Sequence, residues 1–391
     1  MSTAPFTRPA RTEDPPPPPP APPRLEALLT LAEVEHAAAS RLPAAVRDFI
    51  GGGSGQERAL TANRRALDAH WLVPRVLRDV TSVSPATRLA GDRAAFPAAV
   101  APMAYQRIAH PAGEAAAAAA ARAAGIPFVV PTLSSVPVEE IAATGASLWF
   151  QLYPLRDRGA GNALVERAEA AGCRALMVTA DVPRMGRRLR DVRNAFALPP
   201  GISAVHLDGS RATGAQHTAG GTSAVARHTR EIIDPAFDWR ELERLAARTR
   251  LPLVVKGVLH PDDARRAADA GAACVVVSNH GGRQLDAAVS GFTVLPAVRD
   301  ALGDDCQVLY DGAVRSGTDL LKALARGATG VLVGRPVLWG LAVAGQAGAE
   351  HVLTLLADET EEALALAGCR TPEEAAALPL IPATGEAEVR R

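Results

Sequence analysis

From Phe96 onward the chain repeats one pattern. A short apolar run is followed by a polar or glycine-rich turn and then by a longer stretch with apolar residues at helical spacing. The runs are Phe96–Ala101, Pro127–Pro131, Leu148–Leu152, Ala175–Ala180, Pro252–Lys256, Cys274–Ser278, Gln307–Asp311 and Gly330–Gly334. They are too short for helices and too uniformly apolar for strands with one wet face, so they read as strands buried on both faces of a parallel sheet. The segments between them, such as Glu114–Ala124 and Pro261–Ala270, read as Ala- and Arg-rich amphipathic helices. Alternating strand and helix implies right-handed parallel crossovers, and eight such units predict an α/β fold of the closed (β/α)8 TIM-barrel type. An open doubly wound sheet would need a glycine-rich fingerprint after its first strand, and Ala101-Pro102-Met103-Ala104 is not one.

Two regions depart from the repeat. Residues 1–24 hold the unbroken run Pro15–Pro20 and read as a disordered, solvated polyproline tail, leaving 25–391 as one domain. In 25–95 the apolar positions Leu28, Leu29, Leu31, Val34, Leu42, Val46 and Phe49 predict two short helices of an N-terminal cap, ending in the turn Gly51-Gly52-Gly53-Ser54-Gly55. The interval after the fourth strand, Ala180 to Pro252, is too long for a simple crossover. Its part 199–229 is rich in Gly, Ala, Ser, Thr and His with little helical period, and is expected to be a mobile lid loop over the barrel mouth.

Charge narrows the partners. With 42 basic and 42 acidic side chains there is no call for nucleic acid or an anionic membrane. No apolar run is long enough to span a bilayer and no signal peptide is visible. Cys173, Cys274, Cys306 and Cys369 show no metal-binding spacing and read as reduced thiols of a cytoplasmic protein.

A barrel delivers the last residues of every strand to one rim. Here those residues include Pro102, Met103, Ala104, Thr132, Ser134, Gln151, Tyr153, Thr179, Asp181, Lys256, Ser278, His280, Arg283, Asp311, Arg315, Gly334 and Arg335. The rim is polar and cationic while the strands behind it are apolar, as a site for an anionic ligand requires. DGAVRSGTD after strand seven, with Gly312 and Arg315, and GRP after strand eight, with Gly334 and Arg335, make a phosphate cradle at the place barrels usually keep one. CVVVSNHGGRQLD aims an imidazole and a guanidinium from a buried strand end into one place, a base beside a carboxylate grip. A neighbouring carboxylate is expected to raise the pKa of that histidine. No metal is expected.

SNHGGRQLD resembles the signature of the FMN-dependent 2-hydroxy acid oxidases and dehydrogenases. APMAYQ, TLSS, FQLY, TADVPRMGRRLRD, VVKGV, DGAVRSGTD and VGRP are similar to further family motifs, in family order. The resemblance implies that FMN meets Pro102, Met103, Ala104, Ser134, Gln151, Thr179, Lys256, Ser278, Asp311, Gly312, Arg315, Gly334 and Arg335. It also implies that His280 takes a proton from the substrate and Asp181 orients it. Arg188 and Arg283 would clamp the substrate carboxylate, and Tyr153 would bond its hydroxyl or keto oxygen. Phe49 stands where many members carry a tyrosine, and Val136 where glycolate oxidase carries a bulky aromatic. Both changes point to a roomier pocket and a larger, aromatic (S)-2-hydroxy acid, as does a closer likeness to the hydroxymandelate oxidase branch. The implied reaction yields the 2-keto acid, with O2 reduced to H2O2, in a homotetramer. Transfer to a quinone or carrier protein, or another FMN-barrel redox chemistry, are the alternatives.

Overall fold

The structure is a computed structural model that describes residues 24–207 and 223–383. The proline-rich tail up to residue 23 and the central part of the expected lid, 208–222, lie outside the described residues.

The eight apolar runs form the eight strands of a closed barrel: β1 Ala98–Val100, β2 Phe128–Val130, β3 Leu148–Leu152, β4 Ala175–Thr179, β5 Leu253–Val258, β6 Ala272–Val277, β7 Gln307–Asp311 and β8 Gly330–Val333. Neighbours pair in parallel all the way round, and β8 closes on β1 through Val331↔Ala98, Leu332↔Ala99 and Val333↔Val100. Strands β1 to β4 are buried along their whole length, which explains why no alternation of polar residues marks them in the sequence. The register of β5 against β6 shifts between Lys256 and Val258. The irregularity lies at Gly257, with φ +101°, where a Cβ would stand 2.4 Å from the Asp181 side chain. A bulge that only glycine accepts therefore lets Asp181 cross the strand end.

The cap holds three helices: α1 Leu31–Ala39, opened by a Thr30–Glu33 capping box, α2 Ala44–Gly51 and α3 Arg58–Asp68. Polar anchors fix α3 to the strand ends. Asn63 and Asn279 exchange amide bonds of 2.8 Å in a buried reciprocal pair. Arg64 grips Asp319 through both nitrogens at 2.6 and 2.7 Å, and Asp286 accepts from the Gln56 and Ala59 amides. The end of the expected lid loop is instead helical over Ala224–Ile232, with Val225, His228 and Thr229 buried. Those three share one helical face, a spacing too short to stand out among the surrounding small residues. Among the described residues no helix is long and apolar enough to cross a membrane.

Candidate active site

A cavity partly open to solvent lies between the C-terminal strand ends and the cap. His280 enters it from the turn after β6. Three successive residues there have positive φ: His280 at 59°, Gly281 at 62° and Gly282 at 76°. The glycines permit close approach, since a Cβ on Gly282 would stand 2.5 Å from the Leu60 backbone and one on Gly281 would stand 2.9 Å from Arg335 Nη1. His280 itself tolerates the left-handed region at a cost, a type of strain that clusters at functional sites.

His280 Nδ1 lies 3.0 Å from Asp181 Oδ1. The neutral ring donates that bond from Nδ1, which leaves the Nε2 lone pair as the free acceptor. The direction of the histidine pKa corrects the sequence expectation. Burial lowers it, Lys256 and Arg188 add to the lowering, and the Asp181 pair offsets only part, so the imidazole sits below its ordinary range. Burial works to raise the Asp181 pKa, but the charge and hydrogen bond of His280 outweigh it and hold the carboxyl below the usual value. Gln284 fixes the same corner, donating from Nε2 to the carbonyls of Asp181 and Arg184 at 2.8 Å each.

Two guanidiniums face the histidine end. Arg188 and Arg283 both line the cavity, while the adjacent Arg187 is exposed. Their carbons lie 5.7 and 5.5 Å from the centre of the Phe49 ring, and Phe49 stacks on Phe196 at 4.4 Å. Phe49 therefore backs both arginines with a flat, rigid surface. Burial, then Arg188 and Arg335, push the Arg283 pKa well below its ordinary value, which marks a surplus of buried positive charge. Tyr153 also lines the cavity, and burial followed by Asp181 holds its hydroxyl protonated.

The middle of the site is a bonded floor. Lys256 Nζ lies 2.8 Å from Asp311 and donates to Ser278 Oγ at 3.1 Å. Burial opposes the lysine charge, but Asp311 and then Asp181 outweigh it and raise the pKa. The Ser278 hydroxyl donates to Asp311 and accepts from the His280 amide at 2.9 Å. Gln151 Oε1 accepts from Thr132 N at 3.1 Å and its Nε2 donates to Thr179 Oγ1 at 3.0 Å. Ser134 and Ser278 are fully buried behind the wall and do not line the cavity.

After β7 and β8, Gly312, Arg315, Gly334 and Arg335 line the cavity. Arg335 starts the helical segment Arg335–Leu366, which is broken by a kink at Ala344 and Gly345, and its N-terminus adds positive potential. Its guanidinium donates to the carbonyls of Ile50, Gly52 and Gly281, and Arg315 lies 4.7 Å from the Trp339 ring centre. Among the described residues neither arginine has a carboxylate within ion-pair distance. Burial, then Arg315 and Arg188, bring Arg335 down to about 10. Two buried, mutually repelling guanidiniums with free donors suit a doubly charged anion.

Comparison with known proteins follows this geometry. The model of the FMN-dependent dehydrogenase family matches residues 38–379. The chain belongs to that family. It is 54% identical to 4-hydroxymandelate oxidase of Amycolatopsis orientalis, over 88% of this chain and 95% of that one. It is 45% identical to L-lactate oxidase of Nostoc sp., over 87% and 94%. The crystal structure of mandelate oxidase with (S)-4-hydroxymandelic acid superposes with TM-score 0.88 at 52% identity, covering 90% of this chain and 99% of that one. The protein is an FMN-dependent 2-hydroxy acid oxidase.

The residues present fit FMN. Arg315 and Arg335 suit a phosphate, and Met103, Ala104, Gln151, Thr179 and Lys256 line the same cavity as His280. The fit is close at Gly334, where a Cβ would stand 2.9 Å from Met103 Sδ. As with Ser134 and Ser278, which were expected to meet FMN, the expectation for Val136 changes: it is fully buried and not part of the cavity wall. The apolar wall comes instead from Met103, Leu133, Met185 and Val225. Sequence reasoning also missed Phe196, Gln284 and Asp191. Gln284 stands inside the SNHGGRQLD motif, so its position was a signal, but its partners come from a distant loop.

Proposed function

We propose that this oxidase acts on aromatic, mandelate-type (S)-2-hydroxy acids and that the residues gathered in the cavity divide the work as follows. The observation carrying the reading is one cavity that gathers an Asp181-bound imidazole, two phenylalanine-backed guanidiniums, and Arg315 and Arg335, which have no carboxylate within ion-pair distance among the described residues. The relatives named for 4-hydroxymandelate, and the solved mandelate oxidase with (S)-4-hydroxymandelic acid, support the aromatic class.

Arg188 and Arg283 bind the substrate carboxylate. Tyr153, kept protonated, donates to the substrate hydroxyl or keto oxygen. His280 Nε2 accepts a proton from the substrate, and Asp181 stabilises the imidazolium that results. Pro102, Met103, Ala104, Gln151, Gly312 and Gly334 shape the cofactor bed, with Thr179, Lys256 and Asp311 on its floor and Ser134 and Ser278 bracing it from behind. Arg315 and Arg335 hold the cofactor phosphate. When bound, FMN would supply the two-electron acceptor that no side chain provides, with O2 as the terminal oxidant reduced to H2O2. The four buried free thiols support work in a reducing cytoplasm. Assembly is read as a homotetramer, supported by exposed Trp71, Val76 and Leu77, and light scattering at four chain masses tests it.

The substrate class is tested by an aerobic panel of (S)-4-hydroxymandelate, (S)-mandelate, (S)-lactate and glycolate, with peroxide and keto acid measured together. The expected order of kcat/KM places both mandelates first, with one peroxide per keto acid; a preference for lactate or glycolate would sink the assignment. Phe49→Tyr restores a hydroxyl beside the clamp. It is expected to lower KM for lactate roughly tenfold, the worth of one hydrogen bond to a charged group, while mandelate gains less.

The pH dependence follows from the imidazole. The base works only when neutral, and burial holds its pKa below the ordinary 6.5. The kcat/KM profile of the enzyme is therefore expected to stay flat from neutral pH downward and to fall only below that value. In Asp181→Asn the imidazolium loses its counter-charge, so the limb moves to still lower pH while the plateau drops by about 100-fold. A limb above 6.5 in the unmodified enzyme would contradict this.

A further inference from the structure

Asp191 is unexplained by the roles above. It lies on the short helix Leu189–Arg193, is 1% exposed, and neither of its carboxylate oxygens has a hydrogen-bond partner among the described residues. A buried carboxylate left in that state is costly unless an opposite charge stands close. The charge is Arg188, whose Nη1 lies 4.0 Å from Asp191 Oδ2. The neighbouring carboxylates are taken: Arg190 lies 3.5 Å from Asp48 and 2.5 Å from Glu57.

We infer that Asp191 is a positioning residue for the substrate clamp, the internal counter-charge that keeps Arg188 drawn into the cavity before the substrate carboxylate arrives. The distance is the informative feature. At 4.0 Å the Coulomb attraction is strong in a buried setting, yet no N–H of Arg188 is used in a hydrogen bond to Asp191. The donors stay free for the substrate, and Phe49 holds the plane of the guanidinium from beneath. Burial works against the charge of both clamp arginines and Asp191 opposes that in each, while burial also raises the Asp191 carboxyl pKa against the pull of Arg188 and then Arg283, so the charges depend on one another. Without it Arg188 would face Arg283 with no balancing charge and would relax towards solvent.

The inference rests on the reading that Arg188 binds the substrate carboxylate. The test compares FMN-loaded wild type, Asp191→Asn, Arg188→Met and the double variant on (S)-mandelate and on its methyl ester, which lacks the carboxylate charge. Asp191→Asn should raise KM for mandelate about tenfold with kcat changed less than twofold, and leave kcat/KM for the ester unchanged. On the Arg188→Met background the same substitution should not raise KM further. An unchanged or lowered KM in Asp191→Asn, or equal losses on acid and ester, would overturn the inference. If Arg188→Met itself leaves KM for mandelate unchanged, the clamp reading fails and takes this inference with it. Should Asp191→Asn yield too little folded protein, melting temperatures decide. The double variant should melt above Arg188→Met, in which Asp191 is a lone buried charge, and an equal or lower Tm would overturn the inference.

Discussion

His280→Asn is expected to lower the rate of anaerobic flavin bleaching by mandelate by about 10^4-fold, the upper range for loss of a positioned general base. Asparagine suits the test because it accepts the left-handed backbone at φ 59°. The turn should keep its shape, including the His280 amide bond to Ser278 Oγ at 2.9 Å. What disappears is the Nε2 lone pair, and no other side chain stands ready to replace it. Lys256 is held charged by Asp311, and Tyr153 is held protonated by burial, so neither is a base near neutral pH. Asp181 loses the partner that holds its pKa down, and its carboxyl should shift upward. Flavin content per chain should stay at the wild-type level, because the substitution leaves in place the Gly281 carbonyl to which Arg335 donates at 3.0 Å. Bleaching at more than a tenth of the wild-type rate would show that proton removal has another agent.

Arg315→Met should have the second large effect, on the cofactor. Removing one partner of a buried, hydrogen-bonded charge pair costs about 3 kcal/mol, or roughly 100-fold in Kd for FMN. The apo-protein should respond in the opposite sense. Arg315 is one of the charges that lower the Arg335 pKa to about 10, so its loss relieves repulsion and moves that pKa upward. Arg315 also leaves few bonds behind, since its guanidinium donates to the Val314 carbonyl and otherwise lies on Trp339. Titration of apo-protein with FMN, read by flavin fluorescence, should show weaker binding, and the apo-protein should melt no lower than wild type. An unchanged Kd would place the phosphate elsewhere.

The strands were legible because a doubly buried parallel strand has a simple signature. Each of the eight apolar runs became a barrel strand, with ends shifted by a few residues. The site was legible wherever it lies at a strand end, as with His280, Lys256, Asp311 and Arg335, because barrel geometry alone sends those positions to one rim. What stayed hidden depends on packing between distant segments. Phe196 meets Phe49 only because the loop after β4 folds against α2. Asp191 looks like one more surface charge among arginines until that loop is buried. The direction of the His280 pKa was misread for the same reason. The adjacent carboxylate was visible in the motif, but desolvation and the charges of Lys256 and Arg188 are not. Val136 was assigned to the pocket by the resemblance to glycolate oxidase, yet its side chain is fully buried in the core.

The claim that joins these results is that a 2-hydroxy acid lies with its carboxylate on Arg188 and Arg283 and its oxidised carbon beside His280. A crystal structure of the FMN-loaded enzyme with benzoylformate, the keto product of mandelate, tests it most directly. The account predicts the carboxylate within hydrogen-bond distance of both guanidiniums, the keto oxygen facing Tyr153 and His280 Nε2, and the phosphate between Arg315 and Arg335. A product carboxylate bound away from Arg188 and Arg283, or a phosphate bound away from Arg315 and Arg335, would contradict it.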